Sequence, residues 1–266
     1  MADVSKWTVS KIKALKGKQK LVSLTGYDFS TARLLDEVGM QLILVGDSLG
    51  MTMLGYENTL PVTMEEMIIH IQAVKRGVKR ALIVGDMPFL SFQVSIEQAI
   101  DNAGRFIKVG ADAVKIEGGA FRVPLVKALI ENGIPVLGHI GLTPQSVRAM
   151  GGFKVQGKTE ADAKRILEDA RALDSAGVFA LVLEGMPSAL AREITEAVSM
   201  PTIGIGAGPE CDGQILVVHD ILGLYSDLSP KFVKRYAQLG VEMKKAFETY
   251  KKEVEEKTFP GPEHCY

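Results

Sequence analysis

The sequence predicts an α/β protein of the (β/α)8 TIM-barrel class, a single catalytic domain over residues 1–266 with an N-terminal extension and a C-terminal helix and tail. Three observations predict it. Short, continuous apolar runs alternate with amphipathic stretches along almost the whole chain, the pattern of parallel strands buried on both faces. Eight such runs are present, which argues for a closed barrel over an open sheet. Finally, 266 residues at 47% apolar composition match the size of a one-domain barrel and supply a large core.

The first run, 21–24, ends at Thr25-Gly26-Tyr27-Asp28, where Asp28 reads as a helix N-cap. The second strand is 42–45 and the third 81–84. Between them Thr63 and Glu66 form a capping box ahead of Met64, Met67, Ile68, Ile71, Val74 and Val78 at helical spacing. Ser95 with Gln98 repeats the device before Ile96, Ala99, Ile100, Ala103 and Ile107. Further strands are expected at 113–116, 135–137, 179–183, 202–205 and 215–218. Ser229-Pro230 reads as the N-cap and first residue of a last helix. The charge-dense run 244–257, with Phe247 and Val254 interspersed, reads as a solvated helix face before a frayed tail.

Two long connections, 46–62 and 141–158, leave the carboxyl ends of strands, where barrel enzymes place their sites. Gly50, Gly55, Gly151, Gly152 and Gly157 suit mobile lids; ordinary surface loops or oligomer contacts are the plainer reading.

Composition excludes several functions. Lys and Arg number 31 against 32 Asp and Glu, and no basic stripe interleaves with aromatics, so nucleic acid is not an expected partner. Cys211 and Cys265 lie far apart without metal-site spacing, which fits a reducing compartment and no disulfide framework. The N-terminal stretch lacks the apolar run of a secretory signal, and no run approaches the roughly 20 residues that span a bilayer. No membrane contact is expected, and the cytoplasm is the expected location.

The residues that carry chemistry stand at the carboxyl ends of the apolar runs. Strand two ends in Gly46-Asp47-Ser48, strand three in Gly85-Asp86-Met87-Pro88, strand four in Lys115-Ile116-Glu117-Gly118, strand five in Gly138-His139 and strand six in Glu184-Gly185. A barrel brings all of these to one mouth about 10 to 15 Å across. Four close carboxylates repel, and one lysine offsets only part of that charge. A divalent cation resolves the conflict, since hard oxygen ligands select Mg2+ or its relatives. Asp47, Asp86 and Glu117 come from neighbouring strands and suit one ion. Glu184, across the rim, stays free to act as a general base. Lys115 shares a strand face with Glu117, and either holds a substrate carboxylate or pairs with Glu117. His139 is either a reactant or a satisfied rim histidine. The Gly204-Ile205-Gly206-Ala207-Gly208 segment is open to two readings, a phosphate cradle or close packing at the barrel closure. Met51 and Met53 line the first loop as ligand contacts or as packing.

Taken together, Gly46-Asp47-Ser48-Leu49-Gly50, Gly85-Asp86-Met87-Pro88-Phe89, Val114-Lys115-Ile116-Glu117-Gly118, Gly138-His139-Ile140-Gly141-Leu142-Thr143-Pro144-Gln145 and Gly204-Ile205-Gly206-Ala207-Gly208 resemble the ketopantoate (3-methyl-2-oxobutanoate) hydroxymethyltransferase family. The motifs run in order over most of the chain. The resemblance implies a (β/α)8 barrel assembled as a homodecamer, a pentamer of dimers. It implies Mg2+ on Asp47, Asp86 and Glu117, substrate contacts from Asp47, Ser48, Asp86 and Lys115, Glu184 as proton acceptor, and His139 at the substrate. The implied reaction moves a one-carbon unit from 5,10-methylenetetrahydrofolate, a reduced folate co-substrate, to 3-methyl-2-oxobutanoate. The product is 2-dehydropantoate, in pantothenate and coenzyme A biosynthesis. In this reading Glu184 removes the C3 proton of the 2-oxo acid and the metal stabilises the enolate.

The alternative is a Mg2+-dependent carbon–carbon lyase of a 2-oxo or 2-hydroxy acid. Such enzymes resemble this chain at the metal rim but carry a cysteine on a mobile loop, and neither long loop here contains one. A non-catalytic barrel used as a binding module is the third possibility, distinguished by a lack of magnesium-dependent stabilisation.

Overall fold

The computed structural model describes residues 5–225 and 230–266. Eight parallel strands close a barrel in sequence order: β1 Leu21–Thr25, β2 Leu42–Val45, β3 Leu82–Asp86, β4 Ala113–Glu117, β5 Val136–Gly141, β6 Ala180–Glu184, β7 Thr202–Ile205 and β8 Gly213–Leu216. Pairing of Leu21 with Gly213 through Leu24 with Leu216 joins the first strand to the last. β2, β3 and β4 are buried along their whole length; β2 and β3 are apolar runs that lead up to Asp47 and Asp86, whereas β4 carries Lys115 between Val114 and Ile116. The sequence places all eight strands, but β8 lies two residues earlier than its apolar run. Gly213 and the exposed Gln214 pair in the sheet without contributing to that run.

The helices that wrap the strands start where the capping residues say. Asp28 accepts from the Thr31 N–H at 2.9 Å and opens Phe29–Glu37. Thr63 and Glu66 make both halves of the capping box of Met64–Gly77. Ser95 accepts from the Gln98 N–H to start Ile96–Val109, which stops at Gly110 in the left-handed conformation. Helices Val123–Glu131, Glu160–Ala176 and Ser188–Ala197 follow β4, β5 and β6. The strict alternation fails once: residues 206–212 alone connect β7 to β8.

Inside the barrel, Leu21, Leu42, Leu44, Leu82, Val84, Leu137, Val182, Ile203 and Ile215 form one buried cluster with Ile12 and Leu15. Each such aliphatic side chain contributes about 1.5–3 kcal/mol on burial. Ile12 belongs to the short helix Val9–Lys13, and Trp7 packs on the same cluster while donating to the Arg80 carbonyl just before β3. This segment therefore covers the amino-terminal floor, and the chemistry is left to the opposite, carboxyl end.

Both long connections carry structure. Residues 46–62 include the helix Leu49–Thr52, and residues 141–158 include the turn Pro144–Ser146 and helix Val147–Met150.

The chain divides into two compact units, the barrel up to Val217 and a second from Val218 to Tyr266. The second unit holds the helices Val218–Leu222 and Leu239–Glu255. The expected helix start at Ser229-Pro230 is corrected here. Ser229 lies outside the described residues, and the helix begins only at Leu239. Before it, the Tyr236 and Ala237 N–H groups donate to the Ile221 carbonyl, which holds that stretch out of a helix. The long helix buries none of its residues, as its charge density predicts. The tail is not frayed: Phe259 packs edge-on against Tyr250 at 5.6 Å, and Pro262–His264 forms a turn. Among the described residues no helix is long and apolar enough to cross a membrane.

Candidate active site

The barrel brings the predicted residues to one end. Asp47 and Ser48 follow β2, Asp86 closes β3, Lys115 and Glu117 lie at the end of β4, His139 lies in β5, and Glu184 closes β6. Asp47, Asp86, Lys115, Glu117 and His139 are all buried. Alternation along β4 puts Lys115 and Glu117 on the same inward face.

A continuous chain of polar contacts links them. The Asp47 N–H donates to Asp86 Oδ2 at 3.2 Å. Lys115 Nζ donates to Asp86 Oδ1 at 2.7 Å and lies 3.6 Å from Glu117 Oε1. His139 Nδ1 lies 3.4 Å from the same Glu117 oxygen, and its Nε2 lies 3.2 Å from Glu184 Oε2. Neither imidazole contact is aligned well enough to count as a full hydrogen bond. Both open readings of Lys115 and His139 gain definition: Lys115 bonds Asp86 first and Glu117 second, and His139 stands between two carboxylates. The Ser48 hydroxyl lies 2.8 Å from the Tyr27 hydroxyl.

Electrostatics follow from three acids buried around one ammonium. Burial pushes the Asp47 carboxyl well above the usual range, and the charges of Asp86 and Glu117 add to that against Lys115 and Gln145. Asp86 is also raised by burial and by Glu117, against its bond to Lys115. Burial would raise Glu117 too, but Lys115, His139 and the Gln145 N–H outweigh it and hold it low. Burial and Lys115 would lower His139, yet Glu117 and Glu184 win and raise it to about 9. For Lys115, burial acts downward, and the three facing acids overcome it and push the ammonium up. The site is short of positive charge.

That shortage, with the hard oxygen donors that create it, fits a divalent cation. Glu117 Oε1 is buried without a well-formed hydrogen bond and is one of those donors. Among the described residues no three His, Cys, Asp or Glu side chains stand as a ready-made ligand set. Lys115 lies between Asp86 and Glu117 and draws them to itself.

Glu184 differs from its neighbours. Its side chain is 16% exposed where that of Glu117 is 3% exposed, so it is the acid that faces the opening.

Sequence reasoning assigned no role to Gln145, which is central. Its side-chain amide donates to Asp47 Oδ2 at 3.0 Å and to the Met87 carbonyl at 2.8 Å, and its N–H donates to Glu117 Oε2 at 3.0 Å. Gln93 donates in turn to the Gln145 side-chain oxygen at 3.2 Å. The available signal was the polar residue after Thr143-Pro144, on the turn that leaves β5.

The glycine segment after β7 resolves toward packing. A side chain at Gly208 would place its Cβ 2.3 Å from that of Ser188. Cys211 is fully buried beside Gly204, and burial pushes its thiol up. Met53 is exposed and Met51 half-buried in the first loop.

The chain matches the ketopantoate hydroxymethyltransferase family over residues 6–262. It is 59% identical over 258 residues to the 3-methyl-2-oxobutanoate hydroxymethyltransferase of Syntrophobacter fumaroxidans, covering 97% of this chain and 92% of that protein. It is 60% identical over 255 residues to the protein of the same name from Clostridium novyi, covering 96% and 93%. In structure it is similar to 2,3-dimethylmalate lyase, of the PEP mutase/isocitrate lyase superfamily, with a TM-score of 0.61 over 96% of this chain and 92% of that one. At 15% identity that likeness shows the fold alone.

Proposed function

The chain belongs to the ketopantoate hydroxymethyltransferase family and is an enzyme of that transferase class, and from this premise we propose that it converts 3-methyl-2-oxobutanoate to 2-dehydropantoate with 5,10-methylenetetrahydrofolate as donor, in pantothenate and coenzyme A biosynthesis. The observation that carries the reading is the buried run of contacts from Asp47 through Asp86, Lys115, Glu117 and His139 to Glu184.

Asp47, Asp86 and Glu117 would hold Mg2+, which when bound supplies a Lewis acid that makes the C3 proton of a 2-oxo acid easier to remove. The chain's own groups do the rest. Lys115 stays charged among three acids and faces the substrate carboxylate, exchanging part of its contact with Asp86 and Glu117 for it. Ser48, Asp47 and Asp86 complete the substrate contacts, with Ser48 aimed by its bond to Tyr27.

Glu184 takes the C3 proton, as the acid with access to an incoming ligand. His139, within 3.2 Å of it, fixes its position and offsets the negative charge between Glu184 and Glu117. The enolate carbon then bonds to the one-carbon unit as both methylene–nitrogen bonds to the folate break; one water supplies the hydroxyl oxygen, and its second proton together with the C3 proton ends on the two folate nitrogens. The connections 46–62 and 141–158 stand at the same end of the barrel and would shield the electrophile from bulk solvent, leaving room for the one water the reaction consumes.

Assembly as a homodecamer, a pentamer of dimers, and a cytoplasmic location belong to the same proposal; both are supported by the family resemblance. The lyase alternative loses its acid: neither 46–62 nor 141–158 contains a cysteine, and Cys211 is buried against Gly204.

The test is an NMR assay with methylenetetrahydrofolate, 3-methyl-2-oxobutanoate and Mg2+. The hydroxymethylated oxo acid is the expected product, and its absence across Mg2+, Mn2+ and Co2+ rejects the proposal.

A further inference from the structure

The turn after β4 carries an arginine with aromatic walls and, among the described residues, no counter-ion. The Arg122 guanidinium carbon lies 5.0 Å from the ring centre of Phe92 and 4.8 Å from that of Phe121. Its Nε is buried and has no hydrogen-bond partner among the described residues. Asp169, the acid that reaches this turn, is committed to the Ala120 N–H at 2.7 Å and lies 3.4 Å from Arg165. Burial alone lowers the Arg122 pKa, and no neighbouring charge opposes it.

The position is beside the catalytic cluster. Gly118 follows Glu117 directly and has φ +122; a Cβ there would sit 2.7 Å from Phe121 and 2.8 Å from Arg122 side-chain atoms. Both side chains therefore fold back over the residue next to Glu117. Phe121 is 71% exposed, and Leu90 on the turn after β3 is 53% exposed. Aromatic stacking fixes the guanidinium plane, and its terminal N–H groups form a fork that suits a carboxylate. Lys115 is bonded to Asp86 within the buried cluster, so a second, outer carboxylate needs a different cation.

We propose that Arg122, stacked between Phe92 and Phe121, is an anion subsite at the barrel mouth that takes the carboxylate of an aromatic ligand, the p-aminobenzoylglutamate part of the folate. The proposal rests on the folate reading of the site. Phe121 would pack on the aromatic ring and Arg122 would bind the glutamate carboxylate.

The test titrates p-aminobenzoyl-L-glutamate into the full chain by calorimetry and measures KM for both substrates. Arg122→Ala weakens fragment binding about tenfold or more and raises the folate KM similarly, while the oxo-acid KM moves less than about twofold. Arg122→Lys recovers part of the loss. Phe121→Ala, at an exposed position, weakens the fragment several-fold and keeps the test available if Arg122→Ala does not fold. Equal fragment binding by wild type and both variants overturns the subsite, as does no binding to wild type. A parallel rise in both KM values also overturns it, because it marks a structural role. If the wild type makes no product from methylenetetrahydrofolate, the donor reading fails separately; fragment binding lost in Arg122→Ala then still supports an aromatic-carboxylate subsite.

Discussion

The side-chain amide of Gln145 donates to the carboxylate of Asp47 across 3.0 Å, tying the loop after β5 to the end of β2. The same residue holds Glu117 through its main-chain N–H, so it spans two of the three acids proposed for the cation. Gln145→Ala leaves Asp47 and the Met87 carbonyl without their donor, at a cost of about 1–3 kcal/mol for each buried group left unpaired. Mg2+ affinity should fall about 10- to 100-fold, as when a group that orients a ligand is lost. Calorimetric Mg2+ titration with a thermal melt checks both, and a variant matching wild type in each would remove Gln145 from the positioning role.

Glu184→Gln separates binding from chemistry. The amide keeps the size and position of the acid beside His139 Nε2 but cannot accept a proton. Oxo acid and Mg2+ should bind near normally, while exchange of the substrate C3 proton with D2O slows by about a hundredfold or more. Exchange at the wild-type rate, followed by proton NMR, would clear Glu184 of the base role.

Asp86→Ala tests the ligand set and the charge balance together. It removes the closer partner of buried Lys115 and leaves Glu117 at 3.6 Å. Breaking a buried pair in this way costs about 3–5 kcal/mol. Loss of a carboxylate oxygen should weaken Mg2+ by about a hundredfold. Near-normal Mg2+ affinity by calorimetry contradicts the assignment, whatever the stability change.

The legible parts of this chain are those with one dominant physical cause. β2 and β3 are buried on both faces, so their apolar runs are unbroken and end where chain polarity changes; β4 is buried as well but carries Lys115 inside its run. That change is the site: Asp47, Asp86, Glu117 and Glu184 stand out because packing gives no reason for a charge directly after a buried run. Gln145 was silent, because a neutral amide on a turn breaks no pattern and its value lies in partners 28 and 98 residues away. The β7–β8 connection was ambiguous for a similar reason, since its glycines serve both a phosphate cradle and close packing until Ser188 is seen against Gly208. The last helix was misplaced because Ser-Pro is a local signal, and hydrogen bonds to Ile221 override it.

Asp212 offers a pH test of the barrel seam. Its carboxylate accepts from Lys16 Nζ at 2.8 Å, the Thr202 N–H at 2.9 Å and the Gly17 N–H at 3.2 Å, joining the start of β7 and the segment before β1 at the entrance to β8. Burial would raise its pKa, but Lys16 and the Thr202 N–H outweigh that and hold it below the usual carboxylate value. A pKa lowered by folding means that the unfolded chain takes up the proton first. The stabilisation is thus full above the unfolded value of about 3.9 and is lost as pH falls through the folded one. Asp212→Asn keeps the shape but removes the charge, and should cost about 1.5–3 kcal/mol near pH 7. Urea melts of both proteins from pH 7 to pH 3 give the difference, in which titration of the other carboxylates cancels. The gap should hold down to about pH 5 and narrow below about pH 4, where wild type becomes a neutral acid in the same place. A gap that stays constant into acid would show that the Lys16 pairing contributes nothing through charge, and that packing alone closes the seam.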